Sequence, residues 1–491
     1  MYQMGKYLQI IDEVIEQGPY SDNWASLSKY RPPQWYTDAK FGIFIHWGVY
    51  SVPAFGSEWY SRNMYIQGDS HYEHHIKTYG PQKKFGYKDF IPLFKAEKFN
   101  VDEWAELFVQ AGAGYVVPVA EHHDGFQMYR SEISHWNAWE MGPKRDVLGE
   151  LEKAFDSKDL IMGASSHRAE HWFFMGHGKE FESDIKEPLY RGDLYWPSMP
   201  EPPLRDLYGQ PCPTQEYLED WLVRTCEIID RYRPKLLYFD WWIQHSSMKP
   251  YLKKLMAYYY NRAAQWGEEV VLNYKHDAVM LGCAVLDIER GQFAAMKPYP
   301  WQTDTSVALN SWCYTENNKY RTSRELICDL VDIVSKNGNL LLNIGPKADG
   351  TIPEEDRSIL LEIGKWLAVN GEAIYGTHVW KRYGEGPAKI VDGQFSDSVK
   401  KEFTSKDIRY TAKENYLYAT VMKCNKEGIY EFPSLGEQDA GGRKDFHGII
   451  RGIRLLGTDE KVEWSREEEA LKVCIPNFYS ENPIVFRIEI D

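Results

Sequence analysis

Short, nearly continuous apolar runs alternate with amphipathic stretches along most of the chain. The runs are FGIFIHW (41–47), YVVPVA (115–120), LIMGASS (160–166), KLLYFDWW (235–242), EVVLNYK (269–275), VLDIER (285–290) and NLLLNIG (339–345). Their length and unbroken hydrophobicity predict strands buried on both faces, as in a parallel sheet covered by helices. VDEWAELFVQAG and TSRELICDLVDIVSKNG have the spacing of helices between such strands. The alternation predicts an α/β fold, a (β/α)8-like barrel over residues 1–377. A closing helix is signalled by a capping box from Thr351 to Glu354, by Pro353 in the first turn, and by Ile359, Ile363, Trp366 and Leu367 on one face. After residue 377 the pattern changes to alternating segments, DIRYTA, YLYATVM, GIRLLG, KVEWSRE, LKVCIP and IVFRIEI, separated by turn residues. These predict a C-terminal antiparallel β-sandwich domain over 378–491. Seven prolines between 188 and 213 mark 176–215 as a long loop after the third run, placed to rim an active site.

A length of 491 residues accommodates two such domains. The formal net charge of −15 disfavours nucleic acid and anionic membrane surfaces as partners. No run approaches the ~20 uncharged apolar residues of a membrane span. Seven cysteines without C-x-x-C spacing read as reduced thiols, and Asp12, Glu13 and Glu16 interrupt the stretch where a secretory signal would be apolar. A cytoplasmic location is therefore expected, with self-association into a homo-oligomer left open. Aromatics make up 15% of the chain, with 18 Trp and 34 Tyr, which leans slightly toward stacking on sugar faces.

Polar residues close most of the apolar runs. His46 ends the first, His122 and His123 follow the second, and His167 follows the third; Asp240, Lys275 and Glu289 end the next three. Strand C-termini of a parallel barrel converge on one face, the face on which active sites are built. Any one of these residues could simply be the first solvated position after a strand, but their recurrence predicts a polar pocket. Asp240 and Glu289, which end the fourth and sixth runs, would supply the two carboxylates that glycoside hydrolysis needs.

The stretches WYTDAKFGIFIHWGVYSVPAFGSEWYSRNMY (35–65), AGAGYVVPVAEHHDGFQMYRSEISHWNAWEMGPKRDVLGEL (111–151), LLYFDWW, and 335–377 together resemble the α-L-fucosidases of glycoside hydrolase family 29, and 452–476 resembles that family's β-sandwich. The resemblance implies an exo-acting, retaining α-L-fucosidase that acts by double displacement on fucosylated oligosaccharides or glycoconjugates and needs no cofactor or metal. By motif match it implies Asp240 as nucleophile and His46, Glu58, Trp59, His122 and His123 as fucose contacts. Glu289 is the best match for the acid/base, with Glu58 as runner-up; His167, Tyr238, Lys275 and Trp312 complete the expected substrate contacts. Lys275 stands where many relatives carry Arg, so it would act there as a point charge without the planar fork.

Two rival readings fit some of the same residues. H-R-A-E-H (167–171) fits an inverted zinc-peptidase signature, which would use His167, Glu170 and His171 and require a helix there. A sugar-binding relative that has lost catalysis would keep the His and Trp contacts while lacking one carboxylate. The cluster His71, Glu73, His74 and His75 reads as solvated surface in a polar loop. No P-loop, dinucleotide fingerprint or nucleophile elbow is present.

Overall fold

The computed structural model describes residues 4–203, 208–399, 401–437 and 446–491. Eight parallel strands close a barrel in sequence order: β1 (Phe41–Ile45), β2 (Tyr115–Glu121), β3 (Ile161–Ser166), β4 (Leu236–Phe239), β5 (Val271–Lys275), β6 (Val285–Glu289), β7 (Trp301–Ser306) and β8 (Gly338–Ile344). β8 returns to β1 through the register Phe41↔Leu340 to Ile45↔Ile344. Seven of the strands coincide with the apolar runs; β7 is the one the pattern did not reveal. Its sequence, WQTDTS, is buried at every position although most of it is polar. Burial is tolerated because each inward group has a partner. Gln302 Oε1 accepts from Tyr36 Oη (3.1 Å) and Tyr115 Oη (2.9 Å), and its amide donates to Asp287 (2.7 Å). Asp304 takes Tyr238 Oη at 2.8 Å and Lys275 Nζ at 2.9 Å, and Ser306 Oγ accepts from Asn343. The β7 side of the barrel interior is therefore a hydrogen-bonded polar network, set beside the apolar cluster of Phe44, Val117, Leu236 and Leu341.

Helices cover most of the barrel. Val101–Gln110 begins at Asn100, whose side chain accepts from Glu103 N, and Ser323–Ser335 begins with a capping box between Thr322 and Glu325. The closing helix, Glu354–Asn370, has Pro353 at its N-cap with no side-chain cap; Thr351 instead hydrogen-bonds Asp349. The predicted Thr351–Glu354 box is thus not formed, although Ile359, Ile363, Trp366 and Leu367 are buried as expected. Among the described residues the β5–β6 and β6–β7 connections carry no helix, so this side of the barrel lacks the usual cover.

Beyond His378 the chain forms two antiparallel sheets. One has the order β13-β16-β11-β10-β9, built from β9 (His378–Glu385), β10 (Ile408–Lys413), β11 (Tyr416–Val421), β13 (Ile450–Leu455) and β16 (Ile484–Ile490). The other is β12-β15-β14, from β12 (Ile429–Phe432), β14 (Glu463–Arg466) and β15 (Leu471–Cys474). Phe432, Leu471 and Val473 of the smaller sheet share a buried cluster with Tyr410, Leu417 and Phe486 of the larger one. Tyr418, Met422 and Val485 instead pack into the core of the barrel layer, so the two parts share apolar surface.

The long loop after β3 does not rim the cavity as expected. Its described part packs on the segment that follows β1, through Tyr65–Asp184 (2.8 Å) and the Arg62–Glu201 ion pair; residues 204–207 lie outside the described residues. The predicted solvated loop at 71–75 is instead helix Ser70–Tyr79. His75 is fully buried there between Tyr60 Oη and the Phe85 carbonyl, and His74 stacks on Phe55 at 3.8 Å. No helix of the described chain is long and apolar enough to cross a membrane.

Candidate active site

A cavity of about 510 Å³ opens at the C-terminal ends of the strands. It is lined by His46, Glu58, Trp59, His122, His123, His167, Tyr238, Asp240, Glu289 and Trp312, which are all the residues expected from sequence except Lys275. Lys275 is completely buried beneath the cavity, where Nζ meets Asp287 at 2.8 Å, Asp304 at 2.9 Å and Glu289 at 3.6 Å. The expectation that it contacts substrate is corrected: a single cation held by three carboxylates has no surface left for a ligand, and it acts on the site through Glu289.

Asp240 follows β4 directly. Oδ2 lies 2.9 Å from His167 Nδ1 and 3.4 Å from His123 Nε2, and Oδ1 accepts the backbone N–H of Trp241 at 2.8 Å. Burial alone would raise this carboxyl, but the hydrogen bonds from His123 and His167 outweigh it and hold Asp240 well below the usual carboxylate range. Glu289 behaves in the opposite way. Burial is the largest influence on it; Lys275 pulls it down, the charges of Asp240 and Asp304 push it up, and the result is about 7. The indole N–H of Trp241 donates to Glu289 Oε2, so one residue hydrogen-bonds both carboxylates, Asp240 through its backbone and Glu289 through its ring. Two acids in one cavity are thereby held in different protonation states near neutrality.

The histidines divide in the same way. His123 Nδ1 lies 2.7 Å from the carbonyl of His167, which can only accept, while Nε2 faces Asp240; both nitrogens therefore carry protons. Burial works against that charge, but Glu170 and Asp240 raise His123 to about 9. His46 is held neutral by burial and by the neighbouring His167. Its Nδ1 faces Asn343 Oδ1 at 2.7 Å, and the Asn343 amide donates to Ser306 and Trp312, which leaves Oδ1 as acceptor and puts the His46 proton on Nδ1. His46 Nε2 is then an acceptor. His122, also neutral through burial and the adjacent His123, stacks on His167 at 4.6 Å. Aromatic surfaces frame this row: Trp312 stacks on His46 at 5.3 Å, Phe44 meets His46 edge-on at 4.6 Å, and Trp59 meets His123 at 5.9 Å. Glu58, raised by burial, accepts the Trp312 N–H at 3.1 Å.

His46, His122 and His167 each bring one ring nitrogen within 4.8 Å of the others, as do His123 and His167 with an oxygen of Asp240. Neither of these potential ion-holding groups includes Glu170 or His171. The H-R-A-E-H segment passes through a 3-10 turn, Arg168–Glu170, into a four-residue helix. His171 Nδ1 donates to the carbonyl of His123, and Arg168 is buried between Glu121 and Asp220. The zinc-peptidase geometry is therefore not formed.

The sequence reading missed Phe44, Trp241, Trp242, Gln244, His276, Asp277, Asp304, Gln394 and Phe395 among the lining residues. Trp241, Trp242, His276 and Asp277 were accessible to it, since they lie within two residues of Asp240 or Lys275. Asp304 was hidden with β7. Gln394 and Phe395 come from beyond the barrel, and nothing local in sequence points to them.

A closed parallel barrel whose strand ends present two carboxylates of opposite protonation, among aromatic faces and imidazoles, is the arrangement of a barrel glycoside hydrolase. Comparison with known proteins defines the group. The α-L-fucosidase family model matches residues 7–372 and the α-L-fucosidase C-terminal domain model residues 400–488. Human plasma α-L-fucosidase is 32% identical over 471 residues, covering 93% of this chain and 88% of that protein, and rat tissue α-L-fucosidase is 30% identical over 473 residues with the same coverage. Among solved structures, Thermotoga maritima α-fucosidase in complex with a mechanism-based inhibitor superposes with a TM-score of 0.74 at 31% identity, over 96% of this chain and all of that one. The chain belongs to the α-L-fucosidase family of glycoside hydrolases.

Proposed function

We propose that the protein is an exo-acting, retaining α-L-fucosidase that removes terminal α-L-fucosyl residues from oligosaccharides or glycoconjugates by double displacement. The observation that carries this reading is the split between Asp240, kept ionised by His123 and His167, and Glu289, kept protonated up to about pH 7. In the first step the Asp240 carboxylate attacks the anomeric carbon while Glu289 gives its proton to the glycosidic oxygen; the bond to the leaving alcohol breaks and a fucosyl ester of Asp240 forms. In the second step Glu289, now a carboxylate, takes a proton from water as that water attacks the anomeric carbon. The ester to Asp240 breaks and Glu289 is protonated again.

The floor of the cavity supplies the sugar contacts. His46 Nε2 accepts from one hydroxyl, Glu58 accepts from another, and cationic His123 donates. Trp59, Phe44 and Trp312 face the ring and its 6-deoxy methyl group. Glu58 is given this binding role because it accepts the Trp312 N–H at 3.1 Å, whereas it is Glu289 that feels the charge of Asp240. That a Thermotoga maritima relative is solved in complex with fucose supports the same sugar here. A binding protein that has lost catalysis would lack one carboxylate, whereas both occupy this cavity. All seven cysteines are unpaired, which suits a reducing compartment such as the cytoplasm.

The test is the anomer first released from an aryl α-L-fucoside, followed by proton NMR. Initial α-L-fucose supports double displacement; initial β-L-fucose means that water attacks directly and removes the covalent step.

A further inference from the structure

Gln394 and Phe395 reach the cavity from the segment between β9 and β10, which crosses the end of β6 on the side of the barrel that lacks helices. Gly393 N donates to Gln292 O (2.9 Å), Phe395 N to Glu289 O (2.8 Å) and Asp397 N to Arg290 O (2.8 Å). The Glu289 N–H in turn donates to Gln394 Oε1. Both ends of the strap are fixed: Asp392 accepts from Ala294 N at 2.7 Å, and Asp397 accepts from Thr305 Oγ1 at 2.7 Å and pairs with Arg321 at 2.7 Å. Gly291 makes the crossing sterically possible, because a Cβ there would lie 1.9 Å from the carbonyl oxygen of Gly393.

This anchored strap holds one bulky apolar side chain in the open. Phe395 is 48% exposed and has φ +54°, a left-handed backbone that aromatic residues rarely adopt. Single exposed apolar residues are common, but one that combines a disfavoured backbone with a position on a substrate cavity calls for a functional explanation. The ring lies nearly parallel to that of Trp241, at 6.0 Å and 13°, and His276 meets Trp241 edge-on at 5.1 Å. Trp241 is also the residue whose indole donates to Glu289. The aromatic platform therefore stands beside the proton donor, apart from the His46–Trp312 floor. The group attached to the glycosidic oxygen must leave past that donor.

We propose that the strap 392–397 forms the aglycone subsite: Phe395, backed by Trp241, stacks on the apolar face of the pyranose ring from which fucose is cleaved, with His276 and Asp277 within the same cavity as polar partners for its hydroxyls. The inference rests on the fucosidase reading and adds the nature of the leaving group. A pyranose offers a flat C–H face to an aromatic ring, whereas a simple alkyl aglycone does not.

The test compares kcat/KM for an α-L-fucosyl hexose disaccharide and for methyl α-L-fucoside in wild type, Phe395→Ala and Phe395→Trp. Both leaving groups are alkoxides that need the acid, so displacement of Glu289 would slow both substrates together. The ratio of disaccharide to methyl fucoside is expected to fall about tenfold in Phe395→Ala, chiefly through KM, and to return to within about threefold of wild type in Phe395→Trp. An unchanged ratio in Phe395→Ala, whether both rates fall or neither does, overturns the subsite. Absence of turnover of either substrate by wild type overturns the fucosidase reading itself and takes the subsite with it.

Discussion

Asp240 and Glu289 show how little side-chain identity says about function until surroundings are known. Both are buried carboxyls at strand ends. One faces two imidazoles and stays ionised, while the other faces two further acids and a single shared lysine and retains its proton. A group that must be protonated to act loses activity as pH rises through its pKa. The alkaline limb of kcat/KM is therefore expected near pH 7, and the acid limb below about pH 4, where an ordinary carboxylate would protonate. Glu289→Gln should slow alkyl fucosides by ~10²–10⁴-fold and abolish the alkaline limb with an activated aryl fucoside. An alkaline limb that survives in Glu289→Gln would assign it to another group. Lys275 is governed by its surroundings in the same way. A strand-end lysine in sequence looks like a contact, but three carboxylates claim it, and two of those partners, Asp287 and Asp304, are brought to it only when the barrel closes.

At the scale of elements, β7 holds the barrel's interior polar network together. Gln302 accepts from two tyrosines and donates to Asp287, so Gln302→Leu leaves three buried polar groups short of a partner and is expected to cost about 2–5 kcal/mol, read as a lower unfolding midpoint in denaturant. A loss below about 0.5 kcal/mol, the range of surface substitutions, would show that water replaces Gln302 at no cost. This network also explains what was legible beforehand. Strands buried against apolar neighbours announce themselves by hydrophobicity, and the histidines and Asp240 stand out because they interrupt it. β7 resembles a loop because its inward residues satisfy one another across the barrel, through partners on β2, β4, β5, β6 and β8. The helix over Ser70–Tyr79 was hidden for a related reason: His74 and His75 read as polar but are packed against Phe55 and Tyr60. The Thr351–Glu354 box was a correct pattern without the geometry, since Thr351 is engaged by Asp349.

For the whole molecule, the C-terminal sheets complete the barrel as well as resting on it. Tyr418, Met422 and Val485 join the apolar layer between the barrel strands and their helices, Trp366 donates to Pro483 O at 2.8 Å, Arg409 pairs with buried Asp332, and the strap hydrogen-bonds Glu289. A chain ending at residue 377 is expected to be insoluble or at least about a hundredfold less active on aryl fucosides, because it exposes apolar surface and releases Glu289. A soluble fragment with full activity would limit the C-terminal part to a passive role. A covalent intermediate on Asp240 is tested by Asp240→Ala assayed with an activated aryl α-L-fucoside, with and without azide. A loss of at least about a thousandfold is expected, partly restored by azide, with β-L-fucosyl azide as the product. Undiminished turnover by Asp240→Ala, or rescue that yields the α-azide, would contradict it.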